Sequence, residues 1–390
     1  MENAVYNNPT KVIFGKGTEE KVGEEIAKCS GKVLLHYGGG SAERSGLLGR
    51  IRESLKAAGV AVWELGGVKS NPRLKLVYEG IGICRTNGIG FILAVGGGSV
   101  IDSAKAIACG TPNCDDVWDY FLGKKKAGGV LPVGTVLTIP GAGSESSNGM
   151  VITNEDTMEK LAYEDERSRP VFSVLNPEVT YTVPPYYTAA GIVDAMAHIM
   201  ERYFTKTQHV DVTDRMCEAV MRSLVRYGKI AVAEPKNYDA RAEIMWACKI
   251  AHDGTLGFGR EEDWASHNIE HELSAKFDVS HGAGLAVIFP AWIKYVYSEK
   301  PERFAQFASR VFDVEYSFED PDWTIMQGVK RMLAFFKAMN MPTCLRDLGV
   351  NEKSNLDEMA QRCAEHGGGT TGHFVELSAA DIRNILEIAY

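Results

Sequence analysis

The stretch Phe91-Ile92-Leu93-Ala94-Val95-Gly96-Gly97-Gly98-Ser99 decides how the first half of this 390-residue chain is read. Its five consecutive apolar residues have the length and character of a strand buried on both faces, and the glycines feed a helical pattern from about Val100 to Ala108. The same alternation extends outward from it. Val33 to Tyr37 reads as a strand, Leu47 to Gly59 as a helix, Val60 to Trp63 as a strand, Leu74 to Asn87 as a helix, and Val133 to Ile139 as a further strand. Strand and helix in regular alternation predict a parallel sheet with right-handed crossovers.

Beyond Thr182-Val183-Pro184-Pro185 the patterns become long and helical: Thr188 to Phe204, Thr213 to Val232, Tyr238 to Thr255, Trp264 to Lys276, Gly284 to Tyr297, Pro301 to Val311, Thr324 to Met339 and Ala379 to Ile388. The expected organisation is therefore α/β plus all-α, with a Rossmann-like parallel-sheet domain over residues 1–182 and an all-helical domain over 183–390. That length is ample for two large cores. A formal charge of −9, with no block of like charges, argues against nucleic acid as a partner. Eight cysteines without a CxxC pair suggest neither a zinc knuckle nor a disulfide framework, and a reducing cytosol fits them best. No secretory signal opens the chain, and its longest uncharged stretch, Ala127 to Ser144, is too rich in glycine and proline to span a membrane as a helix. The expected compartment is the cytoplasm and the expected assembly a homodimer.

Forty glycines exceed the usual share, and three groups of them end strands. Gly96-Gly97-Gly98-Ser99 precedes a helix, where bare amides on the positive end of the helix dipole suit a diphosphate. It is neither GxGxxG nor a Walker loop, and alone it is as readily an ordinary turn. Gly38-Gly39-Gly40-Ser41 repeats the device, without the acidic residue that takes the adenosine ribose 2′-hydroxyl in many dinucleotide folds; Glu43 comes later. A 2′-phosphate meets no repulsion in that loop. Thr138 to Glu145 again ends a strand in small residues, and the three loops together point to one long ligand at the sheet's carboxyl edge.

Asp194 and His198 stand four apart on one predicted helix and His267 and His271 on another, so each pair shares a face. For the first pair taken alone, a solvated charge pair is the commoner explanation. His281 lies fourteen residues after His267, about 21 Å away on an unbroken helix, so a shared metal requires the chain to turn back at Phe277 to Ser280, with Gly282 supplying flexibility. Four of these five side chains could complete a site for a divalent first-row metal. His36, His209, His252, His366 and His373 lack such company and read as core or surface residues. Phe258, Trp264 and Leu256 suggest an apolar pocket for an aliphatic substrate, and the Gly367 to Gly372 segment reads equally as a cleft border or a plain loop.

Gly96-Gly97-Gly98-Ser99 with Asp102, Asp194-x3-His198, and His267-x3-His271 followed by His281-Gly282 resemble, over essentially the whole chain, the iron-activated or group III alcohol dehydrogenases. Within that family the likeness is to NADPH-dependent butanol dehydrogenases and broad-specificity aldehyde reductases. The resemblance implies a dehydroquinate synthase-like two-domain fold and hydride transfer between NADP(H) and a short- to medium-chain aliphatic alcohol or aldehyde. It implies one divalent ion, Fe2+ or Zn2+, held by Asp194, His198, His267 and His281. His271 would face the substrate without ligating, as a proton relay or a packing residue. Gly96, Gly97, Gly98 and Ser99 would hold the diphosphate, with Asp102 near the nicotinamide side, Thr138 on the adenine side and Lys160 at the nicotinamide ribose. NAD-specific relatives carry an aspartate where this chain has Gly38, Gly39, Gly40 and Ser41, which favours NADP. Competing readings are a glycerol dehydrogenase-like polyol oxidoreductase and a non-enzymatic structural metal protein. A cyclase acting on a phosphorylated sugar is disfavoured, because Asp253 to Ser280 offers Arg260 and Lys276 against six acids.

Overall fold

Five-to-seven-residue runs that are apolar on both faces can be satisfied only inside a parallel sheet covered on both sides, and the computed structural model, which describes residues 1–390, builds that sheet. The chain divides into two compact units: Asn7–Val183 with Pro235–Met245, and Met1–Tyr6 with Pro184–Glu234 and Trp246–Tyr390.

The first unit holds β1 (Lys11–Phe14), α1 (Val22–Ala27), β2 (Lys32–Tyr37), α2 (Ser41–Arg44), α3 (Leu47–Ala57), β3 (Ala61–Leu65), α4 (Leu74–Asn87), β4 (Phe91–Gly97), α5 (Gly98–Gly110), α6 (Trp118–Phe121), β5 (Val133–Ile139), β6 (Gly149–Asn154), β7 (Glu159–Glu164) and β8 (Phe172–Leu175). Six strands form one sheet in the order β1-β8-β5-β4-β2-β3, every neighbour parallel. Alternate residues of β4 enter opposite cores. Ile92 and Ala94 pack with Val77 and Ile107 of α4 and α5 on one face; Phe91, Leu93 and Val95 pack with Ile26 and Ile51 of α1 and α3 on the other.

From β2 the chain builds outward to β3 and then returns to place β4 on the other side of β2, so the strand order reverses at the β2/β4 pair. Ligands of open parallel sheets bind at the carboxyl ends of such a pair. Tyr37 is in register with Val95, so Gly38 and Gly96 lie side by side at the carboxyl edge of the sheet. β6 and β7 form a separate antiparallel hairpin.

The second unit is helical: α7 (Pro185–Tyr203), α8 (Asp211–Ala233), α10 (Ala265–Phe277), α11 (His281–Val296), α12 (Pro301–Phe312), α13 (Pro321–Ala338), α14 (Ser354–His366) and α15 (Ala379–Ala389). α9 (Tyr238–Ala251) counts with the sheet unit up to Met245 and with the helical unit from Trp246. α7 and α11 are buried around almost their whole circumference and form the centre of this unit. No helix in the chain is long and apolar enough to cross a membrane.

Several elements lie outside the sequence reading. β1, α1, α2, α6, β6, β7, β8 and α14 are not among the expected elements. β1 buries only Ile13, and β8 is four residues long with Ser173 in its middle.

Candidate metal centre and coenzyme loops

Three helices of the second unit supply the histidine and aspartate cluster. α7 carries Asp194 and His198 one turn apart on a buried face. α10 carries His267 and His271, and ends at Phe277 because Asp278 adopts a left-handed conformation (φ 51°). The chain reverses over Asp278–Ser280 and α11 begins at His281, which brings the His281 ring within 5.3 Å of the His267 ring, centroid to centroid. Gly282 plays a different part from the flexible one expected. It is helical, and a Cβ there would stand 1.9 Å from the Ala190 carbonyl oxygen, so its bare Cα lets the start of α11 lie directly on α7.

One ligand atom each of Asp194, His267 and His281 lies within 4.8 Å of the others. His281 Nε2 is 3.7 Å from Asp194 Oδ1. His198 is not part of that close triplet: its ring stands beside His267 at 4.6 Å and its Nδ1 is 3.4 Å from Asp194 Oδ1. That Nδ1 is buried and has no hydrogen-bond partner, which a nitrogen reserved for a cation explains. His271 is half-buried, with its ring 5.5 Å from His281, and its nearest potential ligand group is Glu270 with His281.

Two glutamates that the sequence reading passes over fix these rings. The Glu201 carboxylate, one turn after His198, accepts from His267 Nδ1 at 2.6 Å and from the backbone amides of His267 and Trp264 at 3.1 and 3.0 Å. Glu270 pairs with His281 Nδ1. With each Nδ1 proton engaged, each Nε2 lone pair is left for a metal, the usual arrangement behind ligating histidines. Burial pushes the Glu201 carboxyl up to about 8, against the pull of the His267 and Trp264 amides. Burial likewise holds His198 well below the ordinary imidazole range, with the neighbouring His252 adding to the effect. Both shifts describe a pocket in which added positive charge is compensated by carboxylates rather than by water. Two imidazoles and a carboxylate converging, with a third imidazole beside them, suit Fe2+ or Zn2+ chemically.

His252 does not stand apart as a core or surface residue. Its ring lies 4.3 Å from His198, and Arg202 Nη2 donates to its Nδ1 at 3.1 Å. Only Trp264 of the three expected pocket residues adjoins the cluster, 5.0 Å from His267. Phe258 packs edge-on against Tyr6, and Leu256 is a core residue. The Gly367–Gly372 loop is tied to the head of α10: Asp263 accepts the His373 and Phe374 amides at 2.7 and 2.8 Å, and Asn268 Nδ2 donates to Thr371 Oγ1 at 2.9 Å.

In the sheet unit, Gly96, Gly97, Gly98 and Ser99 form no separate loop: β4 runs to Gly97 and α5 starts at Gly98. Side chains would collide there. A Cβ at Gly97 would sit 3.0 Å from Ile139 Cβ, and one at Gly98 2.9 Å from Ala142 Cβ. No side chain caps α5, so its first amides are open to an anion. Thr138 is half-buried where the β4–β5 ladder slips, with Gly96 opposite Leu137 and Gly97 opposite Ile139. Asp102 is half-buried and accepts from Ser144 Oγ at 2.6 Å and the Val151 amide at 3.1 Å; desolvation raises its carboxyl, against the charges of Lys105 and Lys160. Lys160 is itself buried on β7 opposite Thr153.

Gly38, Gly39, Gly40 and Ser41 leave β2 and enter α2, with Gly39, Gly40 and Ser41 exposed. A Cβ at Gly39 would meet nothing within 4 Å, whereas Gly40 lies under the Arg44 guanidinium. These two regions, open helix amides and a bare glycine turn flanking the β2/β4 pair, fit a dinucleotide.

Two family models together match nearly the whole chain. Residues 9–177 match the model of the iron-containing alcohol dehydrogenases, and residues 188–390 match that of the C-terminal part of the Fe-containing alcohol dehydrogenase family. The probable NADH-dependent butanol dehydrogenase 1 of Bacillus subtilis (strain 168) is 42% identical over 99% of both chains. The NADPH-dependent aldehyde reductase YqhD of Escherichia coli (strain K12) is 36% identical over the whole of both. The crystal structure of NADH-dependent butanol dehydrogenase A from Thermotoga maritima superposes with a TM-score of 0.95 at 38% identity, covering 100% of this chain and 99% of that one.

Proposed function

The chain belongs to the iron-containing alcohol dehydrogenase family and is an NAD(P)-dependent oxidoreductase of alcohols and aldehydes, and from that premise we propose that it interconverts short- to medium-chain aliphatic aldehydes and primary alcohols with NADP(H). One divalent ion per chain, Fe2+ or Zn2+, is held by Asp194, His198, His267 and His281. The observation that carries the reading is the pair of buried carboxylates, Glu201 and Glu270, each tied to the Nδ1 of a histidine whose Nε2 is left for the ion.

When bound, the ion supplies Lewis acidity toward the substrate oxygen and the nicotinamide supplies the hydride or its acceptor. The chain contributes the rest. Asp194 offsets the ion's charge, and the two glutamates hold the ligating rings in one tautomer. Trp264 walls the cluster with an apolar face. His271, half-buried and beside His281, is positioned to pass a proton between the substrate hydroxyl and water.

The coenzyme choice rests on the loop. Among the relatives, the Bacillus subtilis and Thermotoga maritima proteins are named for NADH and the Escherichia coli one for NADPH. Here Gly38 to Ser41 places no carboxylate against a 2′-phosphate, and Arg44 lies over Gly40. The test is elemental analysis of the purified protein joined to oxidation of NADPH and NADH across a panel of aldehydes. We expect one ion per chain, turnover of butanal that chelation removes and metal restores, and a higher kcat/KM with NADPH. Native-rate turnover by verified metal-free protein would refute the metal role, and a higher kcat/KM with NADH the coenzyme assignment.

A further inference from the structure

Four charged residues stand around the Gly38–Ser41 turn, and their partners are unequally shared. Arg44, at the end of α2, folds back so that its Nη1 is 2.7 Å from the position a Gly40 Cβ would take; it is exposed and no ion pair engages it. Its neighbour Glu43 is fully engaged: Arg52 of α3 donates from Nη1 and Nη2 to the two carboxylate oxygens at 2.9 and 2.8 Å. The same guanidinium donates from Nε and Nη2 to Glu64 of β3 at 2.8 and 2.9 Å, and the Tyr37 hydroxyl donates to Glu64 at 3.1 Å.

One planar fork thus occupies two carboxylates at once, which a lysine's point charge cannot do with the same geometry. Pairs this exposed add little to stability. What the arrangement does is fix where the negative charge sits. The Arg52 hydrogen bonds also hold both carboxyls below the usual range, so both are ionised at any working pH.

We propose that Arg52 sets coenzyme specificity at one remove: by holding Glu43 and Glu64 it keeps their carboxylates from the Gly38–Ser41 turn, leaving Arg44 as the uncommitted charge that meets a 2′-phosphate. This rests on the reading that the turn receives the adenosine ribose. Arg52 is a positioning residue, since it acts through Glu43. Loss of Arg52 removes a cation and frees a carboxylate on the same short helix as Arg44, adding uncompensated negative charge beside the turn.

The experiment measures Kd for NADPH and NADH by nicotinamide fluorescence on the metal-loaded protein, for wild type, Arg52→Ala, Arg52→Ala with Glu43→Gln, and Gly39→Asp. Arg52→Ala should lower the preference for NADPH by about tenfold, chiefly by weakening NADPH. Adding Glu43→Gln should restore most of that loss, which a merely structural defect of α2 and α3 would not allow. The proposal is overturned if Arg52→Ala weakens both coenzymes equally, or if Glu43→Gln brings no recovery. If Gly39→Asp shifts the preference and Arg52→Ala does not, the loop reading stands and Arg52 has no part in it; if neither shifts it, both fail.

Discussion

His267 and His281 each have their Nδ1 tied to a buried glutamate, Glu201 and Glu270 respectively. His267→Ala should therefore lose metal and turnover together, measured by elemental analysis and kcat, while His271→Ala should keep its metal and lose rate. Metal loss from the second variant would show that the two histidines have exchanged roles. Glu201→Gln should weaken metal binding by about 10- to 100-fold. A different residue governs acid stability. His36 is fully buried in β2, its Nδ1–H donating to the Leu65 carbonyl at 2.8 Å and its Nε2 accepting from Ser103 Oγ at 2.9 Å, and burial lowers its pKa to about 4. The unfolded chain then takes up a proton first as pH falls, so stability is lost from about pH 6.5 down to about pH 4. The loss reaches about 2.5 kcal/mol at pH 4.5. His36→Gln should flatten the denaturant midpoint across that window, and an unchanged slope would mean the imidazole is not held neutral. The five Asp and His positions were legible because helical spacing puts them on shared faces. Glu201, Glu270 and His252 were not, since a carboxylate or lone histidine on a helix carries no spacing signal until the opposing helix is known.

Among the elements, α11 depends most on a single residue. A methyl group at Gly282 would stand 1.9 Å from the Ala190 carbonyl oxygen and cannot be absorbed without lifting the start of α11, and His281 with it, from α7. Gly282→Ala should cost about 1–3 kcal/mol and most of the metal affinity. Gly49→Ala in α3, where a Cβ meets nothing within 4 Å, should instead raise stability by about 0.5–1 kcal/mol. Thermal unfolding with metal analysis tests the pair; metal retention in Gly282→Ala would show that α11 can shift without moving its ligand. The central strands were readable because β4 and β5 are buried on both faces and form unbroken apolar runs. β1 and β8 gain their identity from each other, Lys11 pairing with Phe172 across most of the unit, and nothing local announces that. α14 is different: Leu356, Met359, Ala360, Cys363 and Ala364 follow helical spacing, and only its polar average hides it.

For the molecule as a whole, the proposed function assigns each unit its own ligand, and each should report it separately. Hydrogen exchange on chelation should deprotect the facing segments of α7, α10 and α11, while added NADPH should protect residues 36–44 and 96–102; protection spread evenly over the chain in either case would contradict the assignments. NADPH at a hundred times its Kd should also raise stability by about 2.7 kcal/mol. The fold class was readable in the alternation of periods, and the parallel sheet, the helical part and the superposition on a solved structure of the family agree with it. The short reversal at Asp278–Ser280 has a consequence for how such a chain can change in length. His281 stands 14 positions after His267, the 13 residues between them all lie in α10 or this turn, and one residue inserted within α10 after His267 rotates everything downstream by about 100°. Asp194 and His267 are separated by 73, much of it in α8 and its connections, where closing a longer loop adds only about 0.6 kcal/mol per doubling. Insertions and grafted segments belong at positions 206–209 of the connection between α7 and α8, which are exposed or half-buried, and the 13 residues between the two histidines admit none.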